Sequence, residues 1–160
     1  MRIGFGNDIH RLEKGTPLIL AGVTIPSDSG PVGHSDADAL VHAVTDAVLG
    51  ALAAGDIGTH FPPTDERWKD ADSFVFLNEA VSQMKSMGFE VGNLDTTVSL
   101  EATKLRPFIK QMREKLAAGL KTHISNVSVK AKTGEGVDAV GESRAIKAEA
   151  CIVLLTATLS

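Results

Sequence analysis

Polar and apolar positions change period several times along the chain, and the changes mark out its elements. Residues 2–12 alternate: Ile3, Phe5 and Ile9 point one way, Gly4, Gly6, Asp8 and His10 the other. That two-residue period predicts a strand with one apolar face and one unusual face of glycines and potential ligands. Residues 17–26, Pro-Leu-Ile-Leu-Ala-Gly-Val-Thr-Ile-Pro, read as a hairpin turning near Ala21-Gly22, and 27–35 as a polar loop. Over 37–54 the period lengthens. Leu40, Ala43, Val44, Ala47, Val48 and Ala51 recur as one helical face, while Asp38, His42 and Asp46, four apart, share another. Residues 55–65 read as a loop. Ser73 fits the N-cap of a second helix ending near Met87-Gly88. A strand over 89–101 follows, then a third helix opened by Arg106-Pro107 and running to about Lys121. Residues 126–133 alternate as a strand and 145–159 form a long apolar one. Strands and helices interleave without a linker or repeat, so the expected class is α/β or α+β, one domain over 1–160 with helices on one sheet face.

Composition narrows the function classes. The 160 residues suffice for one real core, and 43% hydrophobic with 22% charged residues is an ordinary soluble balance. A formal net charge of −4 leaves no strongly basic surface for nucleic acid. No apolar run is long enough to span a bilayer, so no membrane partner is expected. The expected location is the cytoplasm, or the plastid stroma if a transit peptide has been removed. The lone Cys151, inside Ala150-Cys-Ile-Val-Leu-Leu155, reads as a small core hydrophobe in a reducing compartment.

Asp8 and His10 aim at one side of their strand, and His42 on the following helix can complete a set of three. Three nitrogen and oxygen ligands with a fourth position free describe a catalytic zinc site better than a structural one. The plainer alternative makes His10 a strand-surface residue and His42 a helix residue bonded to Asp38 or Asp46. The company of His42 weighs against it: a metal-bound imidazole usually donates its other N–H to a carboxylate or carbonyl. Gly4 and Gly6 leave room over the same strand face. Ser35 and Asp36, in Gly33-His34-Ser35-Asp36, are natural helix caps. The same loop could equally hold phosphate oxygens on free N–H groups, with His34 as a further donor. Asp56-Ile57-Gly58 reads as a helix-ending turn or as a polar clamp where Gly58 lets backbone approach a ligand. In Lys130-Ala-Lys-Thr-Gly-Glu-Gly136, Lys132, Thr133 and the backbone near Gly134 offer donors to a phosphate, and Glu135 offers a hard oxygen to a magnesium-type ion. A plain turn is the other reading. Lys104 and Arg106 bind an anion or cap a surface. His60 and His123 read as surface residues and Trp68 as a packing anchor.

These pieces together resemble one family over the whole length. The run from Arg2 to His10 with Asp8-Ile9-His10, Gly33-His-Ser-Asp36, His42-Ala-Val-Thr-Asp-Ala47, Gly55-Asp-Ile-Gly58, Phe61-Pro62 and Lys130-Ala-Lys-Thr133 closely resemble the 2-C-methyl-D-erythritol 2,4-cyclodiphosphate synthases of the non-mevalonate isoprenoid pathway. The resemblance implies a ferredoxin-like mixed sheet, a homotrimer with active sites between subunits, and room for contact with other enzymes of the pathway. It implies a phosphorus–oxygen lyase acting on 4-diphosphocytidyl-2-C-methyl-D-erythritol 2-phosphate. The substrate's 2-phosphate attacks its β-phosphate, CMP leaves and a cyclic diphosphate forms. By the same resemblance Asp8, His10 and His42 hold Zn2+, Glu135 holds a second divalent cation (Mg2+ or Mn2+), and His34 and Thr133 stabilise the transition state. Ser35, Asp56, Ile57 and Gly58 match substrate contacts, as do Phe61, Pro62 and Asp65. So do Lys132, Thr133, Gly134 and Glu135, while Leu100, Thr103, Lys104, Leu105 and Arg106 match the cytidine pocket; Asp8, His10 and His34 also face the substrate.

The chain departs from the family pattern at three places. Glu142 stands where many relatives carry Arg, and Ala139 where they carry Phe, both at the central channel of the implied trimer, with Arg144 nearby as a substitute cation. Pro63 replaces an Asp in the active-site loop. Rival readings are a zinc phosphoesterase using the same three ligands, a non-catalytic trimer that binds isoprenoid phosphates, and a metal-stabilised structural protein.

Overall fold

The computed structural model describes residues 1–62 and 64–157; Pro63 and the last residues of the expected 145–159 strand lie outside them. The chain begins with the long strand β1, Arg2–Lys14, then a hairpin of β2, Leu18–Leu20, and β3, Val23–Ile25. A three-residue strand β4, Ser29–Pro31, precedes helix α1, Ala39–Leu52, and the single turn α2, Ile57–His60. Helix α3, Phe74–Ser86, leads to β5, Phe89–Ser99. A 3₁₀ turn at Arg106–Phe108 opens α4, Ile109–Leu120, and β6, Val127–Lys132, follows. The short α5, Asp138–Gly141, then turns the chain into β7, Ala145–Thr156.

Five strands form one mixed sheet in the order β4-β1-β7-β5-β6. β7 is antiparallel to both β1 and β5, so β1 and β5 run the same way with β7 between them, a split βαβ unit. β6 adds a parallel edge beside β5 by way of α4. Alternation along β7 assigns the faces: Ile146, Ala148, Ala150, Ile152 and Leu154 are buried in the core that α1, α3 and α4 cover. β4 escaped the sequence reading because Ser-Gly-Pro carries no strand propensity. It pairs with residues 12–14 of β1, and Gly30 is needed there, since a Cβ would sit 2.0 Å from the Pro17 carbonyl oxygen.

The alternation read along β1 stands, but the two sides exchange their expected partners. Gly4 and Gly6 face α1 so closely that a Cβ at either would lie 1.8 Å or 2.1 Å from the Ala47 or Ala43 carbonyl oxygen. They leave room for a helix rather than for a ligand. The apolar side is outermost: Ile3, Phe5 and Ile9 are 63%, 60% and 58% exposed. Cys151, expected in the core, lies exposed on that same outer face, opposite Phe5 in the β1–β7 register. Its neighbours Ala150 and Ile152 took the inward positions.

α1 starts at Asp38, not at Ser35 or Asp36. The Asp38 carboxylate accepts from Val41 N and also from the N–H groups of Ala21 and Gly22 at 3.0 and 2.7 Å, tying helix to hairpin. Complete burial pushes this carboxyl up to about 6, against the pull of those three donors. The folded chain therefore holds the proton more tightly than the unfolded chain, where the group titrates near 3.8. Stability of the metal-free protein should fall as pH rises from about 4 to about 6, by on the order of 3 kcal/mol from this group. Urea midpoints of the wild type and Asp38→Asn across that interval check it; equal slopes in the two proteins would refute the assignment. Among the described residues no helix is long and apolar enough to cross a membrane.

Candidate metal centre and a second pocket

Because α1 rests on bare glycine backbone, His42 on its first turns reaches the β1 side chains directly. Asp8 Oδ2 lies 2.8 Å from His10 Nε2 and 2.9 Å from His42 Nδ1, and those two nitrogens are 3.3 Å apart. Among the described residues this is the one group of three His, Cys, Asp or Glu side chains close enough to share an ion. A tetrahedral zinc with bonds of about 2.0–2.1 Å needs donors roughly 3.3 Å apart, so the set fits with a small expansion. The chemistry agrees with the spacing. His10 Nδ1 lies 3.0 Å from the Val32 carbonyl oxygen, which can only accept, so that nitrogen carries hydrogen and Nε2 turns a lone pair toward the carboxylate. Lone pairs and a negative charge converging on one point call for a cation or a proton between them. In the metal-free chain protons fill that role. Burial alone would raise Asp8, but hydrogen bonds from His10 and His42 and their charge hold it well below the usual carboxylate range. Burial would lower His10, yet the Asp8 hydrogen bond and charge leave it raised.

The alternative in which His42 bonds to Asp38 or Asp46 does not occur. Only the His42 backbone N–H reaches Asp38, at its carbonyl. Asp46 accepts from Ile57 N at 2.7 Å and so pins the start of α2; partial burial raises its pKa. The second nitrogen of His42 instead meets two hydroxyls, Ser35 Oγ at 3.0 Å and Ser73 Oγ at 2.8 Å.

A cavity of about 240 Å³ opens beside the triad, lined by His10, His34, Ser35, His42, Ile57, Gly58, Phe61, Trp68 and Phe76. Its inner wall is an aromatic cluster: Trp68 meets Phe61 and Phe76 edge-on, with ring centres 5.2 and 5.8 Å apart. His34 thus sits where a ligand of the triad would lie, its Nε2 otherwise 3.5 Å from the Asp65 carbonyl oxygen. Asp56 stays at the rim, capping α2 through Thr59, whose hydroxyl and N–H both lower its pKa. Asp65 lies beyond, bonded to Arg67, and Pro62 is exposed. At the end of the loop Gly33–Asp36, expected to offer N–H groups to a phosphate, the N–H groups that lead into α1 are already used. Asp36 N donates to Ala71 O, Ala37 N to Ser35 Oγ and Asp38 N to Asp36 Oδ1.

The other expected residues gather elsewhere. Leu100, Thr103, Lys104, Leu105, Arg106, Lys132 and Thr133 line a second cavity of about 180 Å³, with Glu101 and Ala131. Gly134 N–H, expected to be open to a phosphate, is taken by the Glu101 carboxylate at 2.7 Å, and Thr133 Oγ1 donates to Glu135 Oε1. Glu101, which the sequence places at the end of the 89–101 strand, lies just past β5, and an isolated acid there carries no signal of such a role. His10 pairs with Ile146, the adjacent Lys147 with Ser99, and Ser99 with Lys132. Thr133 is therefore nearly level with His10 but three strand spacings away, ~14 Å along the sheet. One chain does not bring Glu135 and Thr133 to the triad. Arg144, the cation nearest in sequence to Glu142, gives its guanidinium to that same Glu142 carboxylate.

A mixed sheet with helices on one face and three potential metal ligands beside an aromatic-walled cavity define an α/β protein able to hold a metal ion, with a second cavity apart from the first. The chain belongs to the YgbB family, whose model matches residues 1–155. It is 51% identical, over 98% of its length and the whole of the relative, to the 2-C-methyl-D-erythritol 2,4-cyclodiphosphate synthase of Salinibacter ruber. It is 46% identical, over 98% of both chains, to that of Clostridioides difficile. A solved synthase structure superposes with a TM-score of 0.90 at 40% identity, covering 96% of this chain and all of that one. A CDP-bound form of such a synthase matches at 0.89, with the same identity and coverage.

Proposed function

We propose that this chain, as one domain, is itself a 2-C-methyl-D-erythritol 2,4-cyclodiphosphate synthase. It converts 4-diphosphocytidyl-2-C-methyl-D-erythritol 2-phosphate to the 2,4-cyclodiphosphate and CMP, a step in non-mevalonate isoprenoid precursor synthesis. The observation that carries the reading is the convergence of Asp8, His10 and His42 on one point beside a pocket, in a chain so similar along its length to such synthases.

The attacking 2-phosphate is already ionised, so the reaction needs no strong base. The obstacle is bringing two mutually repelling phosphates into line. Asp8, His10 and His42 would hold zinc, which when bound polarises a phosphate oxygen and neutralises its charge. Glu135 would hold the second cation, Mg2+ or Mn2+. His34, at the pocket wall, would donate to the phosphate that develops charge, with Lys132 donating from the opposite side and Thr133 joining it once its hydroxyl turns from Glu135. Ser35, Asp56, Ile57, Gly58, Phe61, Pro62 and Asp65 would orient the methylerythritol chain; the aromatic wall suits its methyl branch. Leu100, Thr103, Lys104, Leu105 and Arg106 would take the cytidine, a reading supported by the CDP-bound relative. Gly134 serves by shaping that turn rather than through its own N–H. Fixing both ends of one molecule removes the entropy of encounter.

Since the two pockets lie ~14 Å apart on one chain, a complete site requires a second copy. We therefore propose a homotrimer in which each triad faces the Thr133–Glu135 turn of a neighbour. The uncovered apolar face of β1 and β7 is the surface that would close against the other copies.

Incubation with the cytidylated bisphosphate, zinc and magnesium should yield CMP and a cyclic product with two coupled phosphorus resonances in phosphorus NMR. A water-derived open phosphate would make the protein a zinc phosphoesterase instead, and unchanged substrate would remove the proposal.

A further inference from the structure

We infer that Ser73, oriented by Asp36, is a positioning residue for His42: it fixes the ring tautomer that leaves Nδ1 bare for a cation. The inference rests on the metal-centre reading above and extends it to two residues that line no pocket wall of the triad.

Ser73 occupies the N-cap of α3 yet makes no side-chain cap bond. Its buried hydroxyl turns the other way, between Asp36 and His42. Asp36 accepts from Asp38 N and Ser73 N, each at 3.1 Å, and from Ser73 Oγ. Two of those three partners are backbone N–H groups, which only donate, so the carboxylate serves as acceptor throughout. Ser73 must then give Asp36 its one hydroxyl hydrogen. Toward His42 Nε2, 2.8 Å away, the Ser73 oxygen can only accept. Nε2 therefore keeps a ring hydrogen, so Nδ1, which faces Asp8 and His10, is the nitrogen left to give up its hydrogen to a cation.

The competing tautomer has an electrostatic attraction of its own. With hydrogen on Nδ1, His42 would donate straight to the Asp8 carboxylate at 2.9 Å and close the site to a metal. Asp36, acting through Ser73 on the far side of the ring, supplies the opposing pull. Metal-bound histidines commonly donate their second nitrogen to a carboxylate; here one hydroxyl is interposed. Ser35 Oγ also lies 3.0 Å from Nε2, but its own hydroxyl hydrogen is not committed to a carboxylate, so it cannot fix the direction alone.

The test compares the wild type with Ser73→Ala and Asp36→Asn. Zinc affinity is read by competition with a chromophoric chelator, and the His42 tautomer by two-bond nitrogen–proton NMR of the metal-free proteins. Ser73→Ala removes the acceptor. Asp36→Asn keeps the side-chain volume but removes the charge and one of the two acceptor oxygens, which weakens the pull on the Ser73 hydroxyl hydrogen. It also covers the case in which the alanine variant fails to fold. Both variants should bind zinc about 10–100-fold more weakly and shift His42 toward the Nδ1–H form. Wild-type affinity and tautomer in both would overturn the inference. Loss in Ser73→Ala alone would overturn the part given to Asp36. A wild type that binds no zinc would overturn the metal reading itself, a different failure.

Discussion

Asp8→Asn or His42→Ala should leave a folded protein that retains no zinc and turns over at least about a thousandfold more slowly, since losing even one charge-stabilising donor from an active site costs on the order of 10²–10³. Asp8 is the most sensitive member, because its Oδ2 is the common neighbour of both imidazoles. An amide there keeps the shape, loses the charge and offers a weaker oxygen to the ion. The fold should survive: ten residues of β1 pair with β7 and the core beneath them is apolar. Metal content by mass spectrometry, circular dichroism and product formation separate the cases. Full activity in chelated buffer would remove the role of the triad. Unfolding of the wild type on chelation would point to a metal-stabilised structural protein.

A double substitution, Ile3→Glu with Phe5→Glu, should give a folded monomer without detectable synthase activity. Both side chains lie outside the core, on the sheet face that no helix covers, so their replacement leaves intramolecular packing intact. If copies of the chain meet there, four or more added charges per assembly would have to be desolvated in the contact. On the proposed reading activity would go with association, because the triad and the Thr133–Glu135 turn lie ~14 Å apart on a single chain. Sedimentation equilibrium beside the phosphorus NMR assay decides it. A double variant that stays trimeric shows the contact to lie elsewhere; an active monomer shows that one chain suffices.

Much of this architecture was legible in the hydrophobic pattern. The α1 period, the β1 alternation, the α3 and α4 boundaries and the apolar β7 all stand within a few residues of where the sequence places them. What could not be read was which face of β1 is inward. Phe5 looks like a core residue and Gly4 like open space until a helix is laid on the strand; the glycines mark close approach. Cys151 follows the same error, since its face depends on its register with Phe5. Within the site, the spacing Asp8-x-His10 pointed to the centre because strand geometry alone brings those two together. The partners of the His42 ring were not readable. Asp38 and Asp46 sit at the suggestive spacing of four, but both carboxylates are spent on backbone N–H groups. Ser73 is 31 residues from His42 in the chain and carried only a capping signal. The separation of the two pockets is likewise a property of strand order, β1-β7-β5-β6, which periodicity does not encode.

The chain has a single tryptophan and no tyrosine, and that tryptophan, Trp68, stands in the wall of the cavity beside the triad. Its intrinsic emission therefore comes from one known place. Any molecule that parts the Trp68–Phe61–Phe76 cluster or excludes water from it changes the surroundings of the only strong fluorophore. If the proposed division of the substrate holds, arrival of its methylerythritol end can be followed in real time without a label, apart from events at the nucleotide end.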